Sequence, residues 1–115
     1  MSKDILFLLP PGFEDNGRYE YCPECAEVWG LLGYFPAIKE ALDIRYQDIV
    51  RPRTEMMSLL GDAHQNCPTL VLLDLSPHAE KARIQKINGY RFIDNARDIG
   101  KYWAERYGTP WPRGA

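Results

Sequence analysis

The sequence predicts an α/β fold in which a mixed central sheet of about four strands is flanked by helices. Two observations lead to this prediction. Short apolar runs occur at residues 5–9 and 69–73, the second opened by Thr69, and continuous apolar runs are typical of strands that are covered on both faces. Elsewhere, apolar residues recur at the i, i+3, i+4 and i+7 spacing of amphipathic helices. The predicted order of elements is β-α-β-α-β-β-α.

The first strand leads through a loop into the first helix. The apolar run at 5–9 ends at Pro10-Pro11-Gly12, a strong stop signal. Residues 12–21 are polar and rich in turn formers, which predicts a loop. Cys22 then precedes Pro23, and proline is favoured at the first helical position. The apolar face of this helix is predicted to consist of Val28, Leu31, Leu32 and Phe35.

The last part of the chain is predicted to form a short strand and a closing helix. Asn88-Gly89 is a tight-turn signal, and Asp94 or Asn95 is expected to cap the final helix, which ends at Gly108. Residues 74–87 show no clear pattern. The other predicted elements are a helical piece at 36–42, a strand at 44–49, a helix at 54–60 and strands at 69–73 and 90–93. The aromatic and apolar residues expected to pack inward are Trp29, Ile99, Tyr102, Trp103 and Tyr107.

Length and composition limit the classes of function. The 115 residues are enough for a single domain spanning 1–115. A net charge of −2 offers no basic face for nucleic acid. No apolar run approaches the ~20 residues that a membrane span needs, and the N-terminus lacks the layout of a signal peptide. We therefore expect a cytoplasmic protein with no nucleic-acid or membrane partner; the sequence does not determine its oligomeric state.

A Cys-Pro-Glu-Cys motif at residues 22–25 is the strongest indication of chemistry. The thiolate is the nucleophile in disulfide exchange, and a helix N-terminus favours a negative charge. Cys22 is therefore expected to attack a disulfide and Cys25, almost one turn further, to resolve the product. Glu24 lies between them, and a nearby carboxylate disfavours a second negative charge. We expect it to make Cys22 less reactive.

A second motif, Asn66-Cys67-Pro68-Thr69, runs directly into the apolar strand at 69–73. With the first motif, it makes the chain resemble the thioredoxin-like superfamily, within it the glutaredoxins and the N-terminal domain of glutathione transferases. A small bacterial thioredoxin-like family without an assigned function is similar as well. The stretches that carry the resemblance are 22–25, 66–70 and 94–108. The chain departs from these families in its long loop before Cys22, in Glu24, in a cysteine before Pro68 and in the lack of a helical C-terminal domain.

The resemblance implies a binding site for glutathione or an extended substrate. In these families the proline equivalent to Pro68 is cis, and the backbone before it pairs with the ligand, which would make Cys67, Pro68 and Thr69 substrate-binding residues. It would also place the Cys67 side chain near the other two thiols, as a third redox thiol or a metal ligand.

Charged residues elsewhere could hold the two ends of glutathione. Arg51 and Arg53 would bind a carboxylate through paired N–H groups, or form a solvated loop. Asp94 and Asn95 match the pair that holds the amino group in transferases, although one of them can simply cap the helix.

A metal site is the alternative interpretation of the cysteines. Cys22-x-x-Cys25 and His64-x-x-Cys67 together resemble a Cys₃His zinc set, and thiolates also suit iron–sulfur clusters. The second pair adjoins a core strand, which is unusual for a zinc module.

The leading hypothesis is a glutaredoxin-like thiol–disulfide oxidoreductase that acts on a small-molecule thiol or a protein disulfide. It requires no cofactor, and glutathione is its possible co-substrate. The alternatives are a non-catalytic metal-binding (zinc or iron–sulfur) or interaction module on a thioredoxin-like scaffold, a glutathione-binding domain without turnover, and a scaffold whose thiols are vestigial or structural.

Overall fold

A five-stranded mixed sheet flanked by helices forms the centre of the computed structural model, which describes residues 3–73 and 83–114. A separate two-stranded hairpin lies beside it. The strands are β1 (Asp4–Leu8), β2 (Phe13–Asp15), β3 (Arg18–Glu20), β4 (Leu42–Tyr46), β5 (Thr69–Leu72), β6 (Gln85–Ile87) and β7 (Tyr90–Ile93). The helices are α1 (Pro23–Tyr34), α2 (Pro36–Glu40), α3 (Thr54–Leu60) and α4 (Ala96–Tyr107).

The sheet has the strand order β4-β1-β5-β7-β6. β1 pairs parallel with β4, and the other pairings are antiparallel. Leu6 lies at the centre, paired with Ile44 on one side and Leu70 on the other. All residues of β1 and β5 are buried, which explains why both strands, after their first residues Asp4 and Thr69, are continuously apolar instead of alternating.

Two Asn-Gly turns shape the strand pairs outside this centre. Asn88 (φ 52°) and Gly89 (φ 80°) join β6 to β7, which confirms the predicted tight turn. Asn16 (φ 53°) and Gly17 (φ 74°) join β2 to β3 in the same way, so the predicted loop at 12–21 contains a hairpin. Positive φ at both central residues is the requirement of a type I′ turn, and this dipeptide was the signal that could have predicted the hairpin.

The sheet gains its fifth strand from the segment that had no clear sequence pattern. β6 lies at the C-terminal end of this segment, residues 74–87, whereas the earlier part of the segment falls outside the described residues. The second strand of the predicted order was placed at 44–49, but β4 ends at Tyr46. The carbonyls of Asp48 and Ile49 accept hydrogen bonds from Arg53 instead of extending the sheet.

Helix α4 covers the core with the face that the sequence predicted. Its Asn95 N-cap and its Gly108 end with left-handed φ of 73° are confirmed. Ile99, Tyr102 and Trp103 are buried, but Tyr107 is 36% exposed because it lies in the last turn, beyond the covered face. At the same end, Arg106 donates to the buried Asp4 at 2.8 Å, which ties the helix to β1. None of the helices among the described residues is long and apolar enough to cross a membrane.

Candidate thiol site

Cys22 occupies the N-cap position of α1. Its backbone is extended (φ −81°, ψ 114°), and its Sγ accepts a hydrogen bond from the Cys25 backbone N–H at 3.2 Å. Oxygen side chains usually fill this role by satisfying a free N–H of the first turn. Pro23 follows at the first helical position, as the sequence predicted. The sulfur of Cys22 is therefore held at the positive end of the helix, while its side chain remains partly exposed.

Cys25 lies beneath it, in the core. It is 6% exposed, and its Sγ accepts a hydrogen bond from the Leu9 backbone N–H at 3.4 Å. Burial, followed by a hydrogen bond with the Cys22 side chain, raises the pKa of the Cys25 thiol far above its ordinary value. Cys25 is therefore a protonated thiol at neutral pH, next to the more accessible Cys22.

The Cys67 backbone faces Cys22, and its side chain contacts Met56. The Cys67–Pro68 peptide bond is cis, and the Cys22 Sγ lies 3.9 Å from the Cys67 carbonyl oxygen. The Cys67 thiol is 7% exposed and lies 3.7 Å from the Met56 Sδ. Burial raises the pKa of Cys67 to about 11, although the charges of Arg53 and Arg51 act to lower it.

Thr69 uses its hydroxyl to close the turn before β5. It is buried, and its Oγ1 donates to the Asn66 carbonyl oxygen at 2.6 Å. The Thr69 side chain therefore stabilises the loop that contains Pro68. It affects ligand binding only through the position of that loop.

The two arginines that the sequence suggested for a carboxylate have different surroundings. Arg53 is 7% exposed and donates to the carbonyls of Asp48, Ile49 and Gln65 at 2.6–3.0 Å. These hydrogen bonds occupy its guanidinium inside the protein. Arg53 is therefore neither part of a solvated loop nor free to bind a ligand. Arg51 is exposed and precedes a second cis-proline bond, Arg51–Pro52. Of the two, Arg51 is the residue that can meet a ligand.

The Asp94-Asn95 pair lies next to the Pro68 loop. Asn66 Nδ2 donates to the Asp94 carbonyl oxygen at 2.7 Å, which brings the start of α4 close to the thiol site. Asn95 is occupied as the helix cap: its Oδ1 accepts from the Asp98 N–H at 2.9 Å and its Nδ2 donates to the Asp98 carboxylate at 2.8 Å. Asp94 is half-buried and is therefore the member of the pair suited to a ligand.

Glu24 interacts with α4, a contact that the sequence did not suggest. Its Oε1 accepts a hydrogen bond from the Ala96 backbone N–H at 3.2 Å, at the first residue of that helix. A carboxylate is favourable there because the N-terminal N–H groups of a helix are unpaired and carry partial positive charge. The carboxylate that was expected to weaken Cys22 thus has a structural partner, which only the tertiary fold brings within reach.

A cavity of about 320 Å³ adjoins the thiols. Its walls come from the end of β1, the segment before α1, one face of α1 and the end of β4. The lining residues are Leu8, Leu9, Pro10, Pro11, Tyr21, Cys22, Cys25, Ala26, Trp29 and Tyr46. Trp29, which was predicted to pack inward, is 40% exposed at this cavity, with the Lys39 Nζ 5.1 Å from its ring centroid. Sequence reasoning missed the cavity, because residues far apart in the chain form it.

His64 does not join the thiols. Its ring packs edge-on against Phe92, with centroids 4.9 Å apart. Across residues 3–73 and 83–114, no group of three or more His, Cys, Asp or Glu side chains is placed to hold a metal ion. The Cys₃His set that the spacing suggested is therefore not assembled in the described part of the chain.

Comparison with known proteins identifies a family. Residues 3–111 match the family described as "Protein of unknown function (DUF3088)". The chain belongs to the DUF3088 family. No curated protein and no solved structure matches it.

The arrangement in this DUF3088 protein suits the chemistry of a thiol pair. A partly exposed sulfur at a helix N-terminus, a buried thiol one turn further and a backbone carbonyl beside them converge at one point. Such a site can form a covalent bond to an incoming sulfur and then release it by internal exchange.

Proposed function

We propose that this DUF3088 protein is a glutaredoxin-like thiol–disulfide oxidoreductase with a thioredoxin-like fold. Cys22 is the nucleophile and Cys25 the resolving thiol. The main support is the placement of the Cys22 Sγ, 3.2 Å from the Cys25 N–H at the helix N-terminus and 3.9 Å from the carbonyl before the cis-proline. A cis-proline beside two thiols is the arrangement of the superfamily that the sequence resembles.

The sheet supports the fold part of the proposal. β1 pairs parallel with β4 and antiparallel with β5, and β5 pairs antiparallel with β7. These four strands correspond to the order of strands that the sequence predicted, with β6 as an addition at the edge.

The reaction proceeds by two exchanges. The Cys22 thiolate attacks one sulfur of a disulfide, which forms a Cys22 mixed disulfide and releases the other half as a thiolate. Cys25 then attacks the Cys22 sulfur, which forms the Cys22–Cys25 disulfide and releases the second half. The released thiolate takes up the proton that Cys25 gives up. Two molecules of a thiol such as glutathione then reduce the disulfide and leave as their own disulfide.

The surroundings of Cys22 offer groups for glutathione. An extended ligand can pair with the backbone before Pro68, a small case of strand addition. Arg51 is exposed and suits a carboxylate, and the half-buried Asp94 next to Asn66 suits an ammonium group. These contacts make glutathione the proposed co-substrate.

The first experiment measures reduction of a glutathione mixed disulfide by wild type and by single cysteine variants. Cys22→Ser is expected to abolish turnover, because Cys25 is buried and its pKa is raised by that burial. Cys25→Ser is expected to accumulate a glutathione adduct on Cys22, seen as added mass that a reductant removes. Cys67→Ser is the control and is expected to retain turnover, because it keeps the backbone that is proposed to pair with the ligand and changes only a thiol that packs against Met56. Wild-type protein that reduces neither small-molecule nor protein disulfides would overturn the proposal.

A further inference from the structure

We infer that the cavity beside Cys22 binds an uncharged aromatic group carried by a small sulfur compound that reacts at Cys22. The inference rests on the proposed function and specifies its substrate class. The preferred substrate is a mixed disulfide with a glutathione half and an aromatic half.

The lining of the cavity determines the chemistry of its occupant. None of the ten residues that line it is an aspartate, glutamate, lysine, arginine or histidine. Glutathione carries two carboxylates and an ammonium group, and burying an unpaired charge in such surroundings is costly. An uncharged group is therefore favoured in the cavity, and the glutathione half is excluded from it.

Three aromatic side chains at the cavity remain partly exposed. Tyr21 is 63% exposed, Trp29 40% and Tyr46 50%, although aromatic side chains gain much stability from burial. They come from the segment before α1, from α1 and from the end of β4. Rings that converge in this way offer flat faces for stacking with another ring. An aromatic group in the cavity would cover them.

The position of Trp29 relative to Cys22 follows from helix geometry. Cys22, Ala26 and Trp29 are separated by four and three positions, which places them on one face of α1. The Lys39 ammonium beside the indole ring helps to hold its orientation. The leaving half of a disulfide that Cys22 attacks can therefore lie along this face, towards the indole.

The size of the cavity fits a ring and its linker. Its volume is about 320 Å³, whereas an apolar cavity of about 150 Å³ is sufficient for benzene. It is at the lower end of the range of small-molecule pockets, about 300–1,000 Å³. The remaining space accommodates the carbon atom and the leaving sulfur that join the ring to the glutathione sulfur.

The two halves of the substrate thus have separate places. Arg51, Asp94 and Cys67 do not line the cavity, so a glutathione half can lie against them while the aromatic half occupies the cavity. The Cys22 thiolate attacks the glutathione sulfur, the S–S bond breaks, and the aromatic half leaves as a thiolate. Cys25 then displaces glutathione from Cys22, as in the proposed reaction.

The test uses two alkylating reagents with the same reactive group, N-benzylmaleimide and N-ethylmaleimide. The rate of adduct formation at Cys22 is followed by mass spectrometry, and the benzyl-to-ethyl ratio is divided by the same ratio for free glutathione. We expect a corrected ratio well above one for wild type. Trp29→Ala is expected to lower it about fivefold or more, because an aromatic contact is lost. Tyr34→Ala is the control: Tyr34 lies on the same helix, is 80% exposed and does not line the cavity.

Failure of this inference is distinguishable from failure of the proposed function, because alkylation requires no redox turnover. A corrected ratio near one in wild type, no alkylation of Cys22, or an equal loss in Tyr34→Ala would overturn the inference even if disulfides are reduced. A raised ratio that falls in Trp29→Ala alone supports the cavity even if no disulfide is reduced. Circular dichroism of each variant verifies that it is folded.

A second measurement compares turnover of two glutathione mixed disulfides, one with benzyl mercaptan and one with 2-mercaptoethanol. Trp29→Ala is expected to lower kcat/KM about fivefold for the benzyl compound and to leave the other unchanged. An equal loss for both compounds would contradict a role of the cavity in substrate choice.

Discussion

At the scale of single residues, burial distinguishes side chains that have the same charge. Arg51 and Arg53 are separated by one residue and were equivalent in the sequence analysis. The structure exposes Arg51, whereas Arg53 donates from its guanidinium to three backbone carbonyls and from its backbone N–H to Gln65 Oε1 at 2.6 Å. These bonds join the segment after β4 to the segment before Cys67. Arg53 is thus a structural residue, and Arg51 is the candidate for a ligand.

The two arginines are expected to respond differently to substitution. Arg53→Lys keeps the charge but cannot reproduce the planar set of hydrogen bonds, so we expect a loss of about 2–4 kcal/mol in the free energy of unfolding. Arg51→Ala is expected to change this free energy by less than about 0.5 kcal/mol and to raise the KM for glutathione. Urea unfolding and steady-state kinetics measure the two effects. A stable Arg53→Lys variant with a raised KM would reverse the assignment.

At the scale of elements, the backbone N–H groups at the start of α4 donate hydrogen bonds to two different side chains. Asn95 caps it locally, and Glu24 of α1 accepts from its first backbone N–H. The Glu24 contact joins residues that lie far apart in the chain, and it links the helix that carries Cys22 to the helix that closes the core. The exposed ion pair between Arg97 and Glu27, at 3.2 Å, joins the same two helices.

Removing the Glu24 carboxylate is expected to weaken the junction between α1 and α4. Glu24→Ala loses a charged acceptor at a helix N-terminus, which typically costs about 0.5–1.5 kcal/mol in the free energy of unfolding. Glu27→Ala is the matched control on the same helix and is expected to cost less than about 0.5 kcal/mol, because exposed ion pairs contribute little. Urea unfolding of both variants makes the comparison. Equal losses would mean that the Ala96 contact has no special role.

At the scale of the whole molecule, two of the three cysteines of the candidate thiol site are also part of the hydrophobic core. Cys25 and Cys67 belong to the same buried cluster as Leu6, Met56 and Trp103. Ionisation of a buried thiol places a charge in that cluster, so it affects the stability of the entire fold and not only reactivity at the surface.

The structure therefore predicts a loss of stability in alkali. Burial in the folded protein raises the pKa of Cys67 to about 11, from the ordinary value of 9.0 that applies to the unfolded chain. Below pH 9 both states hold the proton; between pH 9 and 11 the unfolded state loses it first, so unfolding becomes more favourable as the pH rises. By pH 10 this amounts to about 1 kcal/mol.

The measurement compares urea unfolding at pH 8 and pH 10, with reductant present, for wild type, Cys67→Ala and Cys67→Ser. Tyrosine and lysine titration affects all three proteins alike, so the difference between their pH dependences isolates the thiol. Both variants are expected to lose less stability than wild type between the two pH values. An identical pH dependence in all three would contradict a raised pKa for Cys67.

Local signals in the sequence determined much of the fold. The helix at 54–60 and the strand at 90–93 have the predicted bounds, and Pro23 and Gly108 mark the helix ends that were predicted. Apolar runs identified β1 and β5, since a strand buried on both faces is mostly apolar. A different local signal, Pro23 at the first helical position, placed Cys22 at a helix N-terminus.

The candidate site was predictable only in part. The sequence singled out Cys22 and Cys25 by their spacing at a helix start, and Cys67 by its place before a proline and a strand. Both are local patterns. It did not determine that the Cys67 thiol packs against Met56, that Arg53 is buried or that Glu24 binds α4. Each of these contacts depends on how distant segments approach one another.

The sequence by itself therefore determined the order of the main elements, without the β2–β3 hairpin and β6, and the thiol pair at the start of α1, because turn residues, caps and apolar periodicity act over a few neighbouring positions. The tertiary structure decided which charged residues are buried and formed the uncharged cavity beside Cys22. It did so because β1, β4 and α1 come together only when the sheet assembles.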